Sequence, residues 1–141
     1  MTELRTKQAK FVRFLARLFD FAYANGYTLG LGEAKRSDEQ AEINAMGETG
    51  RARLMEVLNT NSFTTLANKL SNNGKANGIR GSLHEMGLAI DLNLYQGDAY
   101  LDKSEHHKPL GEFWEALDPD CRWGGRFSDG NHYSIAHGGK Q

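Results

Sequence analysis

The run Leu88-Ala89-Ile90-Asp91-Leu92-Asn93-Leu94 constrains this chain more than any other stretch. Leu88, Ile90, Leu92 and Leu94 alternate with Ala89, Asp91 and Asn93, the two-residue period of a strand with one apolar face. A carboxylate in the middle of such a strand is costly unless its charge is compensated. Just upstream, Gly87 separates His84 from the strand and permits a sharp backbone turn. A loop histidine and a strand carboxylate can then converge on one point, as metal ligands must. On these two residues alone, a structural ion pair of Asp91 with an arginine, beside a surface histidine, explains the pattern equally well.

The rest of the chain supplies elements to pack against that strand. Leu4, Phe11, Phe14, Leu15, Leu18, Phe19 and Ala22 recur at helical spacing over residues 4–25, and Asn25-Gly26 is a helix stop. Tyr27 to Ala34 alternates as a first strand, with Gly30 and Gly32 on its bare face. Ser37 and Gln40 form a capping-box pattern that opens a helix directly after Arg36. Further short helices are expected over 51–58 and 63–70, then an Asn/Gly-rich loop over 71–78. Gln96-Gly97-Asp98 predicts a turn into a partner strand at Tyr100. From Ser104 to about Leu117 the pattern is helical, with Leu110, Phe113, Trp114 and Leu117 inward and Pro109 near the first turn. His106 and His107, at its polar start, are expected to face solvent. His132 opens a short apolar run suited to pairing beside the focal strand.

With 141 residues, 39% of them hydrophobic, the chain is expected to fold as one domain over 1–141 without covalent staples. A net charge of −1 gives no electrostatic footprint for nucleic acid or an anionic membrane. The lone Cys121 excludes an intramolecular disulfide and reads as a buried, inert thiol. Arg13, Arg17 and Asp20 interrupt the N-terminal apolar segment, so no signal peptide or membrane span is expected. The expectation is a cytoplasmic monomer.

Two imidazoles and one carboxylate can hold zinc while leaving a fourth position open for water or substrate. Zinc in such a site activates water and polarises a carbonyl. A further carboxylate must then move the proton, and a cation must face the developing oxyanion. His84, Asp91 and His132 fit the ligand set, with His137 a competing tail histidine. Asp129 fits the general base, and Arg36 the cation.

These residues also carry a resemblance. Ser82-x-His84-x-x-Gly87-x-Ala89-x-Asp91 resembles the S-x-H-x-x-G-x-A-x-D signature of zinc peptidases that cut peptidoglycan stem peptides. That group includes D-Ala-D-Ala carboxypeptidases and dipeptidases, and the L-alanyl-D-glutamate endopeptidases used as phage endolysins. Trp123-Gly124-Gly125-x-Phe127, followed by Asp129-x-x-His132, is similar to the family's W-G-G segment and its (D/E)-x-x-H pair. Arg36-Ser37-x-x-Gln40 resembles the R-(S/T)-x-x-Q segment, whose arginine lies near the substrate carbonyl.

The resemblance implies an α+β fold of the Hedgehog/DD-peptidase type, with helices packed on a small antiparallel sheet. It implies Zn²⁺ on His84, Asp91 and His132, with Asp129 as base, Arg36 as its catalytic partner, and Ser82, Gln40 and Trp123 at the substrate. Many members carry Glu at the base position. The aspartate is associated with the endolysin branch, which favours an L-Ala-D-Glu endopeptidase held in the host cytoplasm until a holin opens the membrane. A cytoplasmic D-Ala-D-Ala peptidase, or a non-catalytic zinc-binding module that recognises the wall, is the alternative.

Overall fold

A computed structural model describes residues 1–32, Ala52, Glu56 and 82–141. Arg36, Gln40 and the elements expected between residues 33 and 81 lie outside the described residues, apart from Ala52 and Glu56, which are helical.

The chain opens with helix α1 (Glu3–Ala24), begun by Thr2, whose hydroxyl accepts from the Arg5 amide. It stops where Asn25 donates its side-chain amide to the Phe21 carbonyl and Gly26 takes a φ of +81°, as the Asn-Gly pair predicts. One stripe, Phe11, Phe14, Leu18 and Ala22, is buried. Strand β1 (Thr28–Leu31) follows, then β2 (Ala89–Gln96) and β3 (Ala99–Tyr100), joined by a tight turn with Gly97 at φ +58°. A 3₁₀ turn (Ser104–His107) leads into helix α2 (Lys108–Leu117). Strand β4 (Cys121–Trp123), a second 3₁₀ turn (Gly124–Phe127) and strand β5 (His132–Ile135) complete the described elements.

The sheet is antiparallel with order β1-β2-β5-β4, and β3 pairs the far end of β2. The strand with the strict alternation is therefore central. Its apolar face, Leu88, Ile90, Leu92 and Leu94, is buried beneath the two helices. Trp114 of α2 anchors that contact, with no exposed surface and edge-on contacts to Phe11, Phe14 and Tyr133. Its indole N–H donates to the Ser134 carbonyl at 2.9 Å, so the ring is satisfied as well as packed. Phe21 and Phe113 stack at 4.2 Å to close the helix pair. The α+β arrangement is the one the sequence predicts, and no described helix is long and apolar enough to cross a membrane.

Two local expectations differ. Ser104 does not cap a continuous helix: Lys103 precedes the 3₁₀ turn, and the Ser104 hydroxyl accepts from the distant Gly130 amide at 2.9 Å. The α-helix proper starts at Lys108, with Pro109 in its first turn, where a missing N–H costs nothing. Nor does His107 face solvent. It is buried, with Nδ1 2.9 Å from the Tyr133 hydroxyl.

Candidate metal centre

His84 reaches the site from a compact turn built by its neighbours. The Ser82 amide donates to the Glu85 carboxylate at 2.5 Å, while the Glu85 amide donates to the Ser82 hydroxyl at 3.4 Å. This is a reciprocal capping pair, and the spacing Ser82-x-x-Glu85 was its readable signal. Gly87 closes the turn with φ +66°, its amide bonded to the His84 carbonyl. From α1, Gln8 donates to the Met86 carbonyl at 2.6 Å and ties the turn to the helix. The Ser82 hydroxyl, expected at the substrate, serves here to order the loop that carries His84.

Asp91 and His132 are brought together by strand register. They face each other directly in the β2–β5 ladder, so their side chains project from the same face. The Gly32 amide donates to the Asp91 carbonyl at 2.8 Å, and a β-carbon at Gly32 would fall 2.9 Å from that oxygen. Gly32, directly after β1, thus lets the backbone run close past Asp91.

The three side chains converge. His84 Nε2 lies 3.2 Å from His132 Nδ1 and 3.4 Å from Asp91 Oδ1, and His132 Nδ1 lies 3.2 Å from the same oxygen. His84 is buried, while Asp91 and His132 are partly open. Among the described residues this is the one group of His, Cys, Asp and Glu side chains close enough to share an ion. Metal bonds of 2.0–2.1 Å in a tetrahedral site place ligand atoms about 3.3–3.4 Å apart, which these three separations match. Burial alone pushes the Asp91 carboxyl up. Hydrogen bonds and charge from His132 and His84 outweigh it and hold the group near 2, ionised as a ligand must be.

The remaining sequence candidates are placed as follows. His137 stands apart, its Nδ1 3.6 Å from Glu3 at the start of α1. Cys121 is buried on β4, and burial, with Asp118 nearby, raises its thiol to about 12, so it is inert as expected. Asp129 is exposed, three residues before His132. Its amide donates to the Gly124 carbonyl at 2.9 Å and its carbonyl accepts from the His132 amide at 3.1 Å. A β-carbon at Gly124 would strike the Asp129 carbonyl at 2.3 Å, which explains a glycine there. Trp123, expected at the substrate, is 93% buried (7% exposed), and its indole donates to the Gly130 carbonyl at 2.7 Å. Its ring fills the space beside Gly111 and Gly125. The sequence reading missed Ser104 and His107, which contact the Gly130–Tyr133 run; their partners are more than twenty residues away, and no local pattern announces them.

Residues 76–135 match the profile of a family described as D-alanyl-D-alanine carboxypeptidase, a span that contains all three converging residues. The fold is similar to the crystal structure of a mutant of the vancomycin resistance D,D-pentapeptidase VanY from a VanB-type resistance cassette, in complex with Zn(II). That likeness has a TM-score of 0.50 at 17% identity, over 91% of this chain and 71% of the other. VanYB in complex with D-alanine-D-alanine is also similar, with a TM-score of 0.47 at 18% identity over 91% and 70%. No curated protein matches the chain.

Proposed function

We propose that the chain is a zinc-dependent peptidase of the D-Ala-D-Ala carboxypeptidase family acting on peptidoglycan stem peptides. The observation that carries this reading is the convergence of His84, Asp91 and His132 at tetrahedral-ligand separations. The profile match over 76–135 supports the family and favours the terminal D-Ala-D-Ala bond as the one cut. The three residues would hold zinc, which supplies Lewis-acid activation of water and of the scissile carbonyl.

The protein's own groups do the rest. Asp129, exposed beside the cluster in sequence and pinned through its backbone, accepts the proton of the attacking water and returns it to the leaving amine. The resemblance gives Arg36 the role of stabilising the negative charge that develops on the carbonyl oxygen. The resemblance assigns Gln40, Ser82 and Trp123 to substrate binding; of these, Ser82 orders the turn that carries His84, and the Trp123 indole is held on the Gly130 carbonyl.

A second reading keeps the same chemistry and moves the bond. The aspartate at 129, in place of the commoner glutamate, favours an L-Ala-D-Glu endopeptidase of the phage endolysin type, working from the host cytoplasm after holin-dependent release. Mass spectrometry of products from purified peptidoglycan separates the two. Free D-alanine supports the carboxypeptidase, stem peptides released at L-Ala support the endolysin, and absence of any product from zinc-loaded protein contradicts both.

A further inference from the structure

We propose that Ser104 and His107 are positioning residues for His132, acting through a clamp on the Gly130–Tyr133 run. The inference rests on the reading of His132 as a metal ligand. The 3₁₀ turn Ser104–His107 touches that run at two points, one on either side of His132. Before it, the Ser104 hydroxyl accepts from the Gly130 amide at 2.9 Å. After it, His107 Nδ1 lies 2.9 Å from the Tyr133 hydroxyl.

The approach at the first point is close enough to demand glycine. A β-carbon on Gly130 would fall 2.4 Å from the Ser104 Cα and 2.6 Å from its carbonyl oxygen. Trp123 holds the other side of the same residue by donating to the Gly130 carbonyl. Asn131 accepts from the Leu92 amide at 2.9 Å, which locks the run against β2 just beyond Asp91. The peptide groups that lead into His132 are therefore fixed on both sides before any metal arrives. A ligand held in place in this way binds its ion without losing further freedom; loss of a group bonded to a ligand itself typically weakens metal affinity by about 10–100-fold, and a clamp on the residues flanking the ligand falls at the low end of that range, about tenfold.

The test measures zinc affinity of the intact chain by chelator competition, at a temperature where every variant is folded. Ser104→Ala and His107→Leu should each weaken zinc binding by about tenfold, and Ser104→Thr, which keeps the hydroxyl, should preserve it. His107→Leu combined with Tyr133→Phe replaces both partners of the buried bond by apolar groups, which leaves little stability penalty. That double variant should regain melting temperature but not zinc affinity, a split that a merely structural pair would not give. If His107→Leu fails to fold, Ser104→Ala and its threonine rescue decide the matter. Affinities within twofold of wild type, or recovery of affinity along with stability, overturn the clamp and leave the metal centre standing. A wild-type chain that binds no zinc overturns the metal centre itself, and the clamp with it.

Discussion

Asp91 and Asp129 are the same side chain set in different surroundings. Asp91 lies within 3.2–3.4 Å of two imidazole nitrogens, while Asp129 is exposed on a tight loop. The account therefore expects identical substitutions to differ. Asp129→Asn should bind zinc at normal stoichiometry and lose activity by about 10²-fold or more, because the amide cannot take a proton. Asp91→Asn should lose zinc itself. Zinc content and peptidoglycan cleavage measured on both proteins check this, and near-normal cleavage by Asp129→Asn would remove it as base. At this scale the sequence was informative where chemistry is local: a carboxylate in an apolar strand, and a histidine before a glycine turn, announce themselves. Trp123 was less legible, because what it touches, Gly111 and Gly130, depends on how α2 and the loop fold back onto it.

Among the elements, α2 and the turn before it carry the strongest packing constraints. Gly111 sits mid-helix, where alanine would ordinarily be preferred. A β-carbon there would fall 2.0 Å from the Trp123 ring, so Gly111→Ala should destabilise by about 1–3 kcal/mol despite its better helix propensity. Urea denaturation of the variant gives the number. His107 makes the second constraint, and a pH-dependent one. Burial, helped by the charge of His106, lowers its pKa from 6.5 to about 4. Between those values the unfolded chain binds the proton and the folded chain does not, so this group's contribution is complete above pH 6.5. It falls away as pH drops toward 4. The unfolding free energy should decline more between pH 7 and pH 5 in wild type than in His107→Gln. Equal declines would show that His107 titrates normally. Strand alternation and helical stripes were readable here because their periods are fixed by the backbone. The burial of His107 was not, since only the docking of β5 brings Tyr133 to it.

For the whole molecule, metal and fold are linked through the β2–β5 ladder. Its register sets Asp91 opposite His132, and the Ser82–Glu85 turn brings His84 onto the same point. An ion that binds only this assembled arrangement adds to stability by mass action, about 2.7 kcal/mol when zinc exceeds its Kd a hundredfold. Removing it with a chelator should lower the melting temperature by roughly 5–10 °C, and added zinc should restore it. The succession α1, β1, β2, β3 and α2, and the pairing of the His132 run beside β2, followed from the sequence because one central strand dictates what can pair beside it, whereas β4 was not foreseen. The sheet order around that strand, and the contacts across the loops, are long-range facts that no single stretch encodes.

Zinc K-edge X-ray absorption on the metal-loaded chain tests the central claim most directly. The account predicts one zinc per chain, with two imidazoles and two further oxygen ligands, all at about 2.0–2.2 Å, and no sulfur. A sulfur shell at about 2.3 Å, or the same spectrum from a His132→Ala chain, would contradict it.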